Sequence, residues 1–414
     1  MASNVMSQRI VGLRTNFAWN FLGESVYSLV QWMLVVVVAQ LGSPALVGQF
    51  ALALAIAAPV FLLVGLNLRV VQATDSARVW SLTDYLRVRH LLNGACLVAC
   101  LGVGLLAGLE PAMLAVLAVV AATKIAEALS QTYYGHLQRC ERLDIVSWSL
   151  MLRSLLGATL FSAAFAVSGQ LAAAIVGQCL AWTAVALLFD RRAAWSVGET
   201  QRGAEAVPLA RLVRRALPLG VDAGASSLIV NVPRYVLAST LGAAQLGVYA
   251  SLAYLAQTVS MITGSLANAV ISRLALYHEG GQRREFTQLL ARLTGFGVVV
   301  ALVGALAAAV LGEAFLRLVL GSAYADRELL VVLMLSAGMA TVQRCLGRGL
   351  QAAHVFGRYL ATDIICLASV AVSAPFLVPA FGVVGAAWSL VVGFTFTIAI
   401  ELAVLRRVLV KMSS

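Results

Sequence analysis

Six stretches of the sequence, residues 25–68, 90–109, 154–189, 235–272, 293–312 and 364–400, contain no Asp, Glu, Lys or Arg. A helix needs about 20 apolar residues to cross a bilayer. The shorter stretches therefore hold one crossing each, and the longer ones hold most of two. The long stretches break at turn-forming residues: Leu41-Gly42-Ser43-Pro44, Ser168-Gly169-Gln170, Leu241-Gly242, and Pro379 through Gly385. With the shorter apolar runs added, the pattern predicts twelve spans, at about 17–39, 49–68, 91–109, 112–133, 145–167, 171–189, 217–240, 246–269, 293–311, 329–346, 359–378 and 385–405. Composition agrees. Only 11% of the 414 residues are charged and 61% are apolar, whereas a soluble domain carries about 25% charged residues. No soluble fold of this length hides so much apolar surface. The expected fold class is an all-α polytopic membrane protein.

The basic residues fix its orientation. Twenty-four fall at one set of span ends, from Arg9 and Arg14 ahead of the first span to Arg406, Arg407 and Lys411 after the last; Arg317 and Arg327 fall at the other. Such asymmetry over short loops is the positive-inside signal, so both termini are expected in the cytoplasm. The net charge of +11 is thereby spread over short segments facing anionic headgroups. It forms no separate basic domain, which argues against a nucleic-acid partner. Arg9 and Arg14 lead into a long span with no small-residue cleavage site, so no removable signal peptide is expected. The six cysteines lack zinc spacing, and His90, His136, His278 and His354 fall in cytoplasmic connections. No metal site and no cofactor are expected.

The second half echoes the first. Leu41-Gly42 leading to Gly48-Gln49-Phe50-Ala51 is matched by Leu241-Gly242 leading to Gly247-Val248-Tyr249-Ala250, at offsets of 200 and 199. Leu137-Gln138 matches Leu350-Gln351, and Gly169 through Ala173 matches Gly382 through Ala386, both at 213. A duplicated six-span unit starts both copies on the same side, which makes the repeats parallel. The expected organisation is an N-terminal lobe over residues 1–190, a cytoplasmic linker over 191–216 and a C-terminal lobe over 217–414. Two such lobes around a cleft suit alternating access.

Charges inside spans cost roughly 2.5–3.5 kcal/mol each on insertion scales and face the protein interior. Here they are Glu24, Lys124, Glu127, Arg153, Asp222, Arg234, Asp363 and Glu401. Lys124, Arg153 and Arg234 are deep cations that would suit an anionic substrate, phosphate above all. Lys124 and Glu127, three residues apart, are also placed to neutralise each other. Arg153 has no acidic residue within a turn, so it is expected to line the cavity; Arg153→Ala should then remove transport without removing the protein. Arg234 follows Pro233, where freed backbone groups suit a cavity wall. Glu24 and Asp222 occupy equivalent first turns of spans one and seven; with Glu127 they are the candidates for carrying a coupling ion, or else partner the cations. Asp363 and Glu401, nearer the span ends, are expected at the interface. Trp19, Trp32 and Trp148 suit belt or packing roles better than sugar stacking.

Several local patterns resemble a known family. They are Asn16-x-x-Trp19, Leu41-Gly42 with Gly48-Gln49-Phe50-Ala51, Tyr133-Tyr134-Gly135-x-Leu137-Gln138-Arg139, Pro218-Leu219-Gly220, Asn231-Val232-Pro233-Arg234-Tyr235, and Leu241-Gly242 leading to Gly247-Val248-Tyr249-Ala250. Together they resemble the Wzx-type polysaccharide and O-antigen flippases of the multidrug/oligosaccharidyl-lipid/polysaccharide (MOP) superfamily, over nearly the whole chain. The resemblance implies twelve helices in two six-helix lobes arranged as a V. It implies transfer of an undecaprenyl-pyrophosphate-linked oligosaccharide from the inner to the outer leaflet of the bacterial inner membrane, driven by a proton or sodium gradient. It also implies membrane lipids and other polysaccharide-assembly proteins as partners, and a cationic cavity to which Lys124, Arg153 and Arg234 are suited. A cation-coupled drug exporter of the same superfamily would need an acidic or neutral cavity. A membrane-embedded glycan polymerase or ligase would need a large outer loop, and the longest here, about 312–328, holds no obvious acid–base set.

Overall fold

A computed structural model describes residues 13–75, 77–198, 208–269, 271–353 and 355–411; Arg9, Arg202 and His354 lie outside them. Backbone polar groups in lipid must be satisfied by the protein itself, in helices or in a closed barrel, and apolar segments of about 20 residues satisfy theirs as helices. Among the described residues there is no β-strand. The N-terminal half holds α1 (Leu13–Leu41), α2 (Pro44–Leu63), α3 (Leu82–Leu106), α4 (Pro111–Arg139), α5 (Leu143–Ser168) and α6 (Leu171–Ala184). The C-terminal half holds α7 (Leu209–Thr240), α8 (Gly242–Ala269), α9 (Arg283–Val319) and α10 (Arg327–Ala352). The stretch Phe356–Lys411 contains two further helices joined at Gly382, where the backbone leaves helical geometry (φ 59°, ψ −139°). These are α11 (356–381) and α12 (383–411). Nine stretches among the described residues are long and apolar enough to cross a membrane, the joined pair counting as one of them; α7 and α8 are outside that set.

The helix ends follow local chemistry. Ser43 caps α2 through the Leu46 amide, with Pro44 in the first turn, where its missing N–H costs nothing. Ser81 and Asp84 form a reciprocal capping box on α3. Gly169 closes α5 in the left-handed conformation, and Asp326 caps α10 through the Leu329 amide. Two boundaries depart from expectation. α6 runs on through a π-helical turn, Val185–Asp190, into Arg191–Ser196, and α7 already begins at Leu209, so helix occupies much of the expected linker. α9 has 37 residues, about 55 Å at 1.5 Å per residue, and so extends well beyond one bilayer crossing.

The largest apolar core gathers the ends of α1, α5, α7 and α9 with the starts of α2, α4, α6, α8 and α10. It thus joins both halves at the end of the molecule opposite the basic segments. Toward the basic end the cores separate by half, except where Leu212 and Ala216 of α7 pack against Leu66, Leu68 and Val71, which follow α2, and against Tyr85 and Val88 of α3. The lobes are joined at one end and part toward the other, the arrangement of a V.

The seam is built by the duplicated motif. Added Cβ atoms would lie 1.8 Å from the Ala243 carbonyl oxygen at Gly48 and 1.9 Å from the Pro44 carbonyl oxygen at Gly247. The two copies of the repeat therefore cross each other, and only glycine permits the approach. Tyr235 ties the same seam by donating to the Ala55 carbonyl. Gly48→Val is expected to part α2 from α8. With native cysteines removed, a cysteine at Leu54 in the cavity wall should then label with an impermeant maleimide from the seam side. Unchanged labelling would show that the close crossing is not the seal.

Candidate functional site

In a lipid-facing helix the usual amphipathic logic is inverted, and the polar stripe faces the protein interior. On α4, Lys124, Glu127, Gln131, Tyr134 and Gln138 recur at alternating spacings of three and four, which places them on one face. Asn20, Glu24, Tyr27 and Gln31 do the same on α1, and Ser227, Asn231 and Arg234 on α7. These stripes converge on two adjoining spaces.

The first is a vestibule of about 630 Å³ at the basic end, lined among others by Glu24, Arg69, Arg89, Glu127, Gln131 and Gln138. Its wall is the break in α2 after Leu63. There Leu66 and Asn67 both adopt positive φ (60° and 44°), unusual for side chains with a Cβ. Arg89 donates to the buried Gly65 carbonyl (3.1 Å) and to Thr132 (3.0 Å). Arg69 is held by Gln138 (3.2 Å) and Gln131 (2.9 Å). The second space is a cavity of about 460 Å³ between the lobes, bounded by α1, α2, α4, α6, α7, α8 and α10. Ala58, Leu62 and Lys124 line both.

Three cations line the inter-lobe cavity, Lys124, Arg234 and Arg344, and its described lining contains no Asp or Glu. Aromatic rings (Tyr27, Trp32, Trp182, Tyr254) and amides (Gln31, Gln178, Gln257) supply most of the remaining specific groups. Arg234 is 5% exposed; it donates to Asn231 Oδ1 (3.1 Å), lies 4.8 Å from the Tyr254 ring centroid, and has no acidic partner among the described residues. Arg344 donates to the Ser260 carbonyl (2.9 Å) across to α8. Lys124 pairs with Glu127 at 2.8 Å.

The structure brings Lys124 and Arg234 to the cavity, but not Arg153. Its side chain is fully buried inside the N-terminal lobe, behind the cavity wall, under the rings of Trp182 (4.5 Å), Tyr27 (5.2 Å) and Tyr134 (5.8 Å). The nearest carboxylate is Glu127, at 3.6 Å. The expectation that Arg153 lines the cavity is thus corrected: its acidic partner comes from a neighbouring helix, beyond the reach of a search along the sequence. Arg344 takes that place. The charge count places Arg344 with the basic residues at the end of the tenth span, expected at 346, whereas α10 continues to Ala352 and leaves Arg344 well inside the helix. Arg69 and Arg89, which the same charge count places after the second span, face the vestibule.

Among the coupling candidates, Glu24 and Glu127 line the vestibule, while Asp222 is half-buried on α7 and borders neither space. Asp363 and Glu401 are buried rather than interfacial, at 3% and 0% exposure. Gln343 donates to both (3.0 and 3.4 Å), Ser226 donates to Asp363 (2.9 Å), and Thr362 donates to Glu401 (3.3 Å). α10 thus carries Arg344 toward the cavity and the adjacent Gln343 toward this carboxylate pair. Trp19 and Trp148 pack on each other (5.8 Å), whereas Trp32 reaches the cavity and stacks on Phe315 (6.3 Å).

Two parallel six-helix lobes around such a cavity define a multi-pass membrane protein with the MOP-superfamily transporter fold. Solved structures share it. Lipid II flippase MurJ, in an inward closed conformation, superposes with a TM-score of 0.73 at 11% identity, covering 94% of this chain and 88% of its own. A Pyrococcus furiosus MOP-superfamily transporter, described as having a binding pocket of reverse polarity, gives 0.68 at 13% identity over 100% of both chains. An outward-facing multidrug-resistance MATE transporter gives 0.65 at 14%, covering 100% of this chain and 99% of its own. By sequence, the profile of the polysaccharide biosynthesis protein family matches residues 13–278. The Staphylococcus aureus capsular polysaccharide biosynthesis protein CapF is 23% identical over 390 residues, 91% of this chain and 95% of CapF. The chain belongs to the polysaccharide biosynthesis protein family.

Proposed function

We propose that this protein flips a polyprenyl-diphosphate-linked oligosaccharide, undecaprenyl by the resemblance above, from the inner to the outer leaflet for surface polysaccharide assembly. The observation that carries the reading is the inter-lobe cavity with three cations and no carboxylate in its described lining. Guanidinium and ammonium donors suit phosphoryl oxygens, while ring faces and amides suit sugar faces and hydroxyls. A cavity of that sign disfavours cationic drugs. The basic end is assigned to the cytoplasm, which puts both termini there and the glycine seam on the outer side. Parting the seam while the basic end closes is the alternating-access step. The bacterial inner membrane and its lipids, with other polysaccharide-assembly proteins beside it, complete the setting.

Ion coupling by protons or sodium is assigned to buried carboxylates. Asp363 and Glu401 fit this role better than Glu24 or Asp222, because they are buried and their acceptors converge on one Gln343 amide, and better than Glu127, which is ion-paired with Lys124. Glu401→Gln is expected to leave substrate binding intact and to remove the dependence of transfer on the gradient; a full gradient response in that variant would exclude Glu401 from coupling.

The reading as a whole is tested by reconstitution into liposomes with a fluorescent pyrophosphoryl-polyprenol saccharide, scoring accessibility in each leaflet. Transfer that depends on the protein supports it. Absence of transfer under every ion gradient, with export of cationic dyes, would replace it by the drug exporter.

A further inference from the structure

Glu127 stands between two cations of unequal exposure. One oxygen, Oε2, meets the Lys124 ammonium at 2.8 Å; the other, Oε1, accepts from the Tyr27 hydroxyl (3.1 Å) and lies 3.6 Å from Arg153 Nη2. Gln31 fixes Tyr27 by donating to its hydroxyl (3.0 Å). The Lys124 side chain is 22% exposed and lines both spaces, whereas Arg153 is 0% exposed and lines neither. All three guanidinium nitrogens of Arg153 are buried without a hydrogen bond to the protein. Three aromatic faces surround them, and their cation–π attraction supplies no hydrogen-bond acceptor to the guanidinium. The other carboxylate of this region, Asp190, is engaged by Ser149, which in turn bonds Tyr134.

We infer that Glu127 is an internal counter-ion that holds the Lys124 site until the diphosphate of the substrate displaces it onto Arg153. A phosphoryl oxygen takes the Lys124 ammonium, and the Glu127 carboxylate closes the short remaining gap to the unbonded guanidinium. No proton moves and no bond beyond hydrogen bonds and ion pairs is exchanged. The arrangement holds both cations neutralised in turn, so neither is left bare in a low-dielectric interior, where an unpaired charge is strongly destabilising. Glu127 is a positioning residue: Lys124 touches the substrate, and Glu127 acts through Lys124. The inference rests on the proposed reading of the cavity as a diphosphate site.

The test is equilibrium binding of farnesyl diphosphate, a soluble prenyl diphosphate, to the purified full chain in nanodiscs, with farnesol as the uncharged control. Glu127→Gln removes the competitor for Lys124 and is expected to tighten farnesyl diphosphate roughly tenfold, the scale of one hydrogen bond to a charged group, while slowing transfer in liposomes, because nothing then expels the ligand. Arg153→Met removes the receiving cation and should weaken binding; the double variant should bind as Glu127→Gln does. Tighter binding with slower transfer is the split that a merely structural glutamate would not produce. Unchanged or weaker binding by Glu127→Gln overturns the inference while leaving the diphosphate site standing, and Glu127→Gln decides this even where Arg153→Met fails to fold. If the wild-type protein does not distinguish farnesyl diphosphate from farnesol, the diphosphate reading fails and the inference fails with it.

Discussion

Arg234→Ala is expected to cut transfer of a diphosphate-linked saccharide by about ten- to hundredfold while the protein accumulates normally. A hydrogen bond to a charged group contributes about 1.5–3 kcal/mol, and each 1.4 kcal/mol is tenfold. Among the described residues the side chain has no acidic partner whose charge its removal would strand; it is held by Asn231 and by the Tyr254 ring. What it loses is therefore ligand binding more than folding energy. Arg234→Lys keeps the charge but not the planar fork, so it should recover only part of the loss. Leaflet-resolved transfer in liposomes measures the effect, with thermal unfolding in detergent as the control for folding. Wild-type transfer by Arg234→Ala would show that this cavity cation does not contact the diphosphate.

Arg153→Ala is expected to behave differently, through stability first. The side chain is among the largest fully buried ones in the chain. Emptying a large buried side chain to alanine costs about 2–5 kcal/mol, more where the site cannot collapse. Three rigid rings around the guanidinium make collapse difficult. Protein level and melting temperature should both fall, and loss of polysaccharide in cells would then say little about substrate contact. Sequence reasoning led to the opposite expectation, normal protein with no transport. An Arg153→Ala protein with wild-type melting temperature would mean that the aromatic enclosure is not a structural core.

The contrast between the two arginines shows where sequence reasoning stops. Both lie deep in predicted spans with no acid within a helical turn. One is solvated by a cavity and the other by three rings and a glutamate on the next helix, and only helix packing separates the cases. Arg344 fails in the reverse direction. It sits inside a helix but within reach of a basic, span-ending segment, so counting charges at span ends absorbed it into topology. Its signal was available in the continuing helical pattern to Ala352. The polar stripe on α4 was equally legible: Lys124, Glu127, Gln131, Tyr134 and Gln138 share a face by spacing alone. The destinations of Asp363 and Glu401 were not, since their common partner, Gln343, is 20 and 58 residues away from them in sequence.

What the amino-acid sequence determined by itself is the solvent, the helix count, the placement of most turns and the duplication. These follow from local physics: lipid admits only segments that satisfy their own backbone, the spans must be about 20 residues long, and turns need residues such as glycine and proline. Even the two glycines of the seam were marked, as equivalent points of the repeat. The tertiary structure decided that these equivalent points meet, that the cavity keeps Lys124 and Arg234, gains Arg344 and excludes Arg153, and that Glu127 is shared between cations on either side of a wall. Those outcomes depend on which faces of which helices pack together. In lipid, apolar surface exerts no preference among such packings, so close glycine contacts and polar pairs set them.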